Sequence, residues 1–246
     1  MTRGFILIIL FALISPVMIY AQNQNYEQDV FSTSKGPLKI TFFGHASLML
    51  EWAGRVIYID PVTQFADYSQ LPKADLILIT HDHYDHFDLK AINLLSREKT
   101  TVVLTQKCAA RFPGGRIMAN GETIKIDDLV IEAVPAYNIV HMRSQGVPYH
   151  PKGEGNGYVL TLGDKRIYIA GDTENIPEMK NLKNIDIAFL PMNLPYTMTP
   201  EMVADAARAI RPRILYPYHY GETDPSQLVN LLKGEQGIEV RIRKMK

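Results

Sequence analysis

Three histidines and three aspartates fall within the stretch ITHDHYDHFD, residues 79–88. Four of them follow the spacing His-x-His-x-Asp-His, namely His81, His83, Asp85 and His86. Side chains alternate along an extended segment, so His81 and His83 point the same way and can bind one metal ion. Asp85 and His86 follow where the chain turns and can reach a second position nearby. Imidazole and carboxylate are ligand types that suit zinc, manganese or iron.

Two further apolar runs end in residues of the same ligand types. Asp172 follows IYIAG, and His219 follows ILYPY. Each residue taken alone is equally compatible with a structural role in a turn. Three apolar strands that each deliver His or Asp at the C-terminal end change that interpretation, because loops at such ends converge on one rim. The sequence therefore predicts one shared metal site.

Short strand-like runs separated by helices must position these side chains. The run 74–80 ends at the histidine cluster, and a predicted helix over 88–98 connects it to a strand over 100–105. The clearest helices later in the chain are predicted over 199–210 and 224–235. Strands in series with interspersed helices favour two packed sheets with helices outside, rather than a purely parallel doubly wound sheet.

Composition bounds the class of protein. The 246 residues are 46% hydrophobic and carry 26 basic and 26 acidic side chains, which is typical of a globular protein. The net charge near zero and the lack of a basic stripe argue against a nucleic-acid partner. Cys108 is the only cysteine, so an intramolecular disulfide is excluded and a buried apolar role is expected.

The first residues differ from the rest of the chain. Arg3 precedes the uncharged run GFILIILFALISPVMIY, and the chain becomes polar directly after Ala21. This pattern predicts a signal peptide over 1–21, with an uncleaved membrane anchor as the alternative. We then expect a flexible lead-in over 22–36, one folded domain over 37–246, and export to the periplasm or medium without a stable membrane span after cleavage.

Several motifs, in chain order, resemble the metallo-β-lactamase-fold superfamily of metal-dependent hydrolases. The resemblance rests mainly on THDHYDHFD, AGDT and PYHYG, and it extends over about 38–241. The stretches FFGHASLMLEWAGRVIYIDP, HPKGEGNGYVL and FLPMNLPYTMTPEMVADA are similar to the branch that contains ascorbate-phosphate lactonase and N-acylphosphatidylethanolamine-hydrolysing phospholipase D. The histidine motif is the most specific of these features.

The resemblance implies an α+β fold, a four-layer αββα sandwich, with two divalent metal ions in a cleft at one edge of the sheets. Zinc is the expected metal, with manganese and iron as alternatives. Carried over residue by residue, it implies that His81 and His83 hold the first ion, that Asp172 bridges, and that the ligands of the second ion are Asp85, His86 and His219. A water between the ions would then attack an ester, lactone or phosphodiester of a small molecule, with Asp85 orienting it.

The third histidine of the first ion departs from the pattern of the superfamily. Many relatives supply it after the strand corresponding to 128–136, where this chain has Tyr137 and Asn138. His141 and His150 both lie downstream. We predict His150, because the flanking prolines of PYHPKGEGNG stiffen the loop and its glycines allow close approach to a site.

Three further residues are candidates for substrate binding: His45, Lys152 and Tyr196. Iron-dependent redox chemistry on the same fold is an alternative function, although the chain carries no flavin or rubredoxin-like module and Asp85 fits the hydrolytic pattern. A non-catalytic metal-binding protein is a second alternative, although a degenerate site usually lacks ligands and this set is nearly complete.

Overall fold

The structure, a computed structural model, describes residues 26–246. The predicted signal peptide over 1–21 lies outside the described residues. Two seven-stranded sheets pack face to face, with helices against their outer surfaces. This is the predicted four-layer αββα sandwich. Within 26–246, no helix has the length and apolar character needed to cross a membrane.

The first sheet contains seven strands in chain order. It is antiparallel from the first strand to the fourth and parallel from the fourth to the seventh. The strands are β1 (Glu27–Thr33), β2 (Gly36–Gly44), β3 (Ser47–Trp52), β4 (Arg55–Ile59), β5 (Leu76–Leu78), β6 (Thr101–Leu104) and β7 (Arg116–Ile117). Its helices are α1 (Leu89–Leu95) and α2 (Gln106–Ala109), with a short 3₁₀ helix at Tyr68–Gln70.

The second sheet has the order β16-β15-β14-β13-β12-β9-β8. Its strands are β8 (Thr123–Ile126), β9 (Leu129–Ala136), β12 (Gly155–Leu162), β13 (Lys165–Ile169), β14 (Ile187–Pro191), β15 (Ile214–Tyr218) and β16 (Glu239–Val240). The run from β13 to β16 is parallel, and the rest is antiparallel. A hairpin of β10 (Met142–Ser144) and β11 (Val147–Pro148) stands apart, and the helices are α3 (Pro200–Ile210), α4 (Ser226–Leu231) and a 3₁₀ helix at Pro177–Asn181.

The continuous apolar run at β5 reflects a strand buried on both faces. Leu76 and Leu78 join the apolar cluster between the sheets, whereas Ile77 joins the cluster beneath α1 and α2. The Cys108 side chain is buried in that second cluster, as predicted. The first cluster continues under α3 and α4, so one apolar core joins the inner layers to the helices of the second sheet.

Helix ends follow the local sequence. The Asp88 side chain accepts a hydrogen bond from the Lys90 amide at 2.8 Å, which caps α1. Thr199 caps α3 in the same way, and Pro200 occupies its first turn, so both helix starts agree with the prediction. The helix expected over 224–235 is shorter, because only Ser226–Leu231 is helical.

The prediction of a flexible lead-in over 22–36 is wrong for the residues that the structure describes. Glu27–Thr33 forms β1, which pairs with β2 along its whole length. Phe31 packs on the core, and the Asp29 carboxylate accepts hydrogen bonds from Tyr216 and, at 2.7 Å, from Arg243. An aspartate at an inward position masks the apolar alternation by which a strand is recognised in sequence.

Candidate metal centre

The parallel halves of the two sheets end at the same edge of the sandwich, and backbone hydrogen bonds join the sheets there. The Asn156 amide at the start of β12 donates to the Thr80 carbonyl after β5, at 2.9 Å. The His219 amide after β15 donates to the His45 carbonyl after β2, also at 2.9 Å. Four chain segments are thereby fixed at one rim, and candidate ligands lie in or close to each of them in sequence.

The His-x-His-x-Asp-His stretch forms a tight turn between β5 and α1. The amides of His86 and Phe87 donate to the His83 carbonyl at 3.1 and 2.8 Å. Asp88, which caps α1, also accepts from the amide and hydroxyl of Thr63, at 2.8 and 2.6 Å. The turn is therefore tied to both the helix and the loop after β4, so the ligand side chains have a fixed backbone beneath them.

Eight side chains of ligand type gather at this rim in two groups of four. Within each group, one potential ligand atom from each residue lies within 4.8 Å of the others. The first group is His81, His83, His150 and Asp172, and the second group is His45, Asp85, His86 and His219. His45, predicted as a residue of the substrate site, thus lies among the potential ligands.

Asp172 lies between the two groups. Its Oδ2 atom is 3.2 Å from His150 Nε2 in the first group and 3.3 Å from His219 Nε2 in the second. Its Oδ1 atom is 3.3 Å from His86 Nε2. His81 Nε2 lies farther away, at 3.9 Å from Oδ2. One carboxylate therefore faces both groups, which is the position predicted for a bridging ligand.

Three of the imidazoles are anchored through Nδ1. His86 Nδ1 donates to Asp60 Oδ2 at 2.8 Å, and the His81 Nδ1 lies 3.0 Å from the Thr80 hydroxyl, which itself donates to Asp60 at 2.6 Å. His150 Nδ1 donates to Asn138 Oδ1 at 2.6 Å. Each of these bonds fixes the ring and leaves the Nε2 lone pair free for a cation.

The unsatisfied atoms at the rim test whether a metal would fit. The Nε2 atoms of His81, His86, His150 and His219 are buried without a hydrogen-bond partner, and so is Asp172 Oδ1. Buried polar atoms without a partner are rare because each costs free energy. Five of them converge on one place, and all are atom types that can bind a divalent cation. The residues present fit a metal centre with imidazole and carboxylate ligands.

Charge interactions inside the centre also indicate a site for a cation. Burial alone would raise the pKa of Asp172, but the His219 and His86 rings hold it well below its usual value. Burial alone would lower the pKa of His86, yet Asp172 and Asp60 raise it to about 9. The carboxylates therefore favour a positive charge beside His86, whether a proton or a metal cation provides it. Burial drives the pKa of His81 well below its usual value, so that ring is neutral.

Three residues of the centre adopt left-handed backbone conformations. The φ angles are 54° at His45, 41° at Asp60 and 47° at His219. For residues other than glycine, such conformations cost about 1–3 kcal/mol each and persist only where the surroundings fix them. Gly171, at φ 66°, precedes Asp172, and a Cβ atom there would lie 2.8 Å from the Asn156 carbonyl oxygen. Glycine at this position therefore allows the backbone just before Asp172 to pack directly against β12.

His150 and His141, the two candidates for the third histidine, occupy different surroundings. His150 is buried in the first group, with its ring centroid 4.9 Å from that of His83 and 5.1 Å from that of His81. His141 Nδ1 lies 2.7 Å from the Glu174 carboxylate instead, and His141 is in neither group. The structure thus brings His150 to the rim and leaves His141 outside it.

A buried carboxylate next to the centre was not identified from the sequence. Glu174 is fully buried and accepts hydrogen bonds from the amides of Ile139 and Val140, both at 2.7 Å, and of His141 at 2.6 Å. It also accepts from the Asn138 side-chain amide at 3.1 Å. Burial alone would raise the pKa of Glu174, but these donors lower it.

Asn138 connects this carboxylate to the first group. Its Nδ2 atom donates to Glu174 and to the Tyr196 carbonyl at 2.9 Å, so the orientation of its amide is determined. Its Oδ1 atom then accepts both the His150 amide, at 3.0 Å, and His150 Nδ1. Asn138 therefore lies where many relatives supply a histidine, and it positions His150, the histidine predicted in its stead.

Two adjacent chambers, which share part of their lining, open onto the centre. The smaller, about 320 Å³, lies beside His83 and His150, and the larger, about 680 Å³, beside Asp85 and His219. Tyr196 lines the larger chamber, as does His45. Lys152, also predicted to bind substrate, lines neither chamber, because its ammonium group is held by Glu178 at 2.8 Å.

Comparisons with known proteins agree with this architecture. The family model described as the beta-lactamase superfamily domain matches residues 39–219. A UPF0173 metal-dependent hydrolase from Methanopyrus kandleri is 30% identical over 227 residues, covering 83% of this chain and 95% of the relative. The crystal structure of a candidate metal-dependent hydrolase from Parabacteroides distasonis has 49% identity and a TM-score of 0.86, over 90% of this chain and 100% of that one. A metallo hydrolase from Ignicoccus hospitalis has 26% identity and a TM-score of 0.71, over 84% and 95% of the two chains.

Proposed function

This chain belongs to the metallo-β-lactamase superfamily and is a metal-dependent hydrolase, and from that premise we propose that it acts with two divalent metal ions on a small molecule. Zinc is the expected metal, and the bond cleaved is an ester, lactone or phosphodiester. The observation that carries the proposal is the position of Asp172, within 3.3 Å of imidazoles from both groups. A single ion would not require a carboxylate shared between two sets of histidines.

In this proposal each group holds one ion, and Asp172 contributes to both. The first ion would be held by His81, His83 and His150, and the second by Asp85, His86 and His219. His45 is an additional potential ligand of the second ion. Bound ions would supply Lewis acidity, polarising the scissile group and lowering the pKa of a water molecule.

The side chains of the centre orient the reactants. Asp85 Oδ2 lies 3.0 Å from His45 Nε2, and the carboxylate lines the larger chamber. Its position is therefore fixed while it remains accessible to water and substrate, so its other oxygen can accept a hydrogen bond from the attacking water and orient it. The His45 ring is in turn stacked on Phe65, with ring centroids 5.1 Å apart, which holds it against Asp85.

Chelation followed by metal restoration tests the hydrolytic function. The protein, purified without added metal, would be assayed against ester, lactone, phosphodiester and thioester substrates, then treated with a chelator and reloaded with zinc, manganese or iron. We expect hydrolysis in at least one class to disappear on chelation and to return with one of the metals. Hydrolysis that survives complete removal of metal would contradict the proposal.

Export belongs to the same proposal and rests on Arg3 and the apolar run before Ala21. We expect the mature protein to begin near Gln22. Sequencing of the N-terminus of protein taken from its native host tests this. An intact Met1 on protein from the cytoplasm would contradict it.

A further inference from the structure

Two arginines at the mouth of the larger chamber have no acidic partner among the described residues. Arg111 lies with its guanidinium carbon 4.8 Å from the centre of the Phe87 ring, and its Nη1 is 3.4 Å from the Asp82 carbonyl oxygen. Arg143, on β10, lies over the Tyr149 ring at 5.9 Å. Both arginines line the chamber. Their contacts are with rings and backbone, so their positive charge is available to a ligand.

The other charged side chains at this mouth have partners among the described residues. Lys107 lines the smaller chamber, but its ammonium lies 2.9 Å from Glu154 and 3.5 Å from Asp82. Asp85 and Asp172 face the imidazoles of the metal centre. Among the described charged side chains that line the larger chamber, the two arginines are therefore those without a partner of opposite charge or an imidazole beside them. A guanidinium group donates a planar pair of N–H bonds, which matches a carboxylate or a phosphate-type anion.

Apolar side chains surround these arginines. Tyr84 is 81% exposed and Tyr196 45% exposed, and both line the larger chamber. Val147, on β11, is 47% exposed and lines the smaller one. The Tyr149 ring meets the Tyr196 ring edge to face, with centroids 5.0 Å apart, and lines both chambers. Large exposed apolar groups concentrated around a cleft indicate a surface that an apolar ligand covers.

We propose that the substrate is an anionic small molecule with an apolar body, whose anionic group is bound by Arg111 and Arg143. Its apolar part lies against the Tyr149 and Tyr196 rings and Val147, while the scissile bond reaches the metal centre between the chambers. This assignment rests on the proposed hydrolytic function and specifies its substrate class. The anion is a carboxylate or a phosphate-type group, since both fit the guanidinium forks.

Binding of four simple probes to the zinc-loaded protein tests the assignment, measured by isothermal titration calorimetry. Octylphosphonate and octanoate combine an anion with an apolar chain, methylphosphonate lacks the chain, and 1-octanol lacks the charge. We expect one of the two amphiphilic anions to bind at least ~10-fold more tightly than methylphosphonate and 1-octanol. The tighter of the two amphiphilic anions identifies the preferred anionic group.

Variants separate the two parts of the site. Arg143→Met and Arg111→Met should each weaken binding of the amphiphilic anion by ~10-fold or more and leave 1-octanol unaffected. Val147→Ser should weaken binding of both 1-octanol and the amphiphilic anion and leave binding of methylphosphonate unchanged. Arg116→Met is the matched control, because Arg116 is an exposed arginine of β7 that lines neither chamber. It should bind every probe as the wild-type protein does.

Two outcomes would overturn the assignment of the substrate class. One is that both arginine variants bind the amphiphilic anions as tightly as the wild-type protein, which would place the anion on the metal ions alone. The other is that 1-octanol binds as tightly as either amphiphilic anion. In both cases hydrolysis that depends on metal would leave the proposed function intact, whereas a protein that hydrolyses its substrates without metal would fail the proposed function itself.

Discussion

The two groups of the metal centre are held in different ways. In the first group, His150 comes from a loop outside the sheets and is positioned by the Asn138 side chain. In the second group, His45 and His219 follow strands, adopt left-handed conformations and are joined by a backbone hydrogen bond. His150 of the first group thus depends on a side-chain contact that one substitution can remove, while His45 and His219 of the second group depend on backbone geometry. Asp172 is the element that the two groups share.

Substitution of Asp172, the residue that both groups share, should have the largest effect. Asp172→Asn should lose affinity for both ions, because its carboxylate faces imidazoles of both groups. Hydrolysis should fall by at least ~10³-fold, since several kcal/mol of transition-state stabilisation are lost with the ions. Metal content and turnover measure the two effects. Asp205→Asn, an exposed change on α3, is the control and should retain both ions. An Asp172→Asn protein that retains both ions would show that the groups are independent.

Removing a ligand that belongs to one group only should release one ion and leave the other bound. Asp85→Ala should lose the second ion and keep the first, because His81, His83 and His150 are unchanged. Turnover should fall by orders of magnitude, since the variant lacks both a ligand and the carboxylate that orients water. Zinc titration followed by metal analysis of the desalted protein gives the stoichiometry. Full turnover in this variant would refute the role assigned to Asp85.

Variants of His150 and His141 test which of these two histidines belongs to the first group. His150→Ala should lose one ion and most of the turnover, because its Nε2 faces Asp172 at 3.2 Å. His141→Ala should keep both ions, since its ring contacts Glu174. Metal content of the two variants decides between them. The opposite result, with one ion lost in His141→Ala and none in His150→Ala, would reverse the assignment.

The smallest predicted effect concerns the side chain that positions His150. Asn138→Leu should weaken binding of the first ion by about 10–100-fold, the range found for residues that hold a metal-bound histidine. Binding of the second ion should be unaffected. Competition with a chromophoric zinc chelator measures the affinity of the protein for each of the two ions. Equal affinity of the first ion in Asn138→Leu and wild type would show that the loop positions His150 without this side chain.

Much of the fold and part of the centre could be predicted because the signals are local in sequence. The histidine motif, Asp172 and His219 each follow an apolar strand, and parallel strand ends meet at one edge. Asp60 follows β4 in the same way, so the same signal was available for it. Its hydrogen bond to His86 was missed because a carboxylate in IDP is equally typical of a turn.

Other features depend on contacts that no local pattern records. The bonds from Asn138 to His150 and to Glu174 join residues 12 and 36 positions apart. The membership of His45 in the second group depends on a left-handed turn after β2 and on contact with His219, whose ring centroid lies 3.7 Å away. β1 was missed because its inward Asp29 is stabilised by Arg243, at the other end of the chain.

The most direct test of the central claim is an anomalous difference map at the zinc edge from a crystal of the zinc-loaded protein. We predict two peaks in the cleft, one among His81, His83 and His150 and the other among Asp85, His86 and His219, with the Asp172 carboxylate between them. A single peak at full occupancy, or two peaks that Asp172 does not separate, would contradict a binuclear centre built on a shared carboxylate.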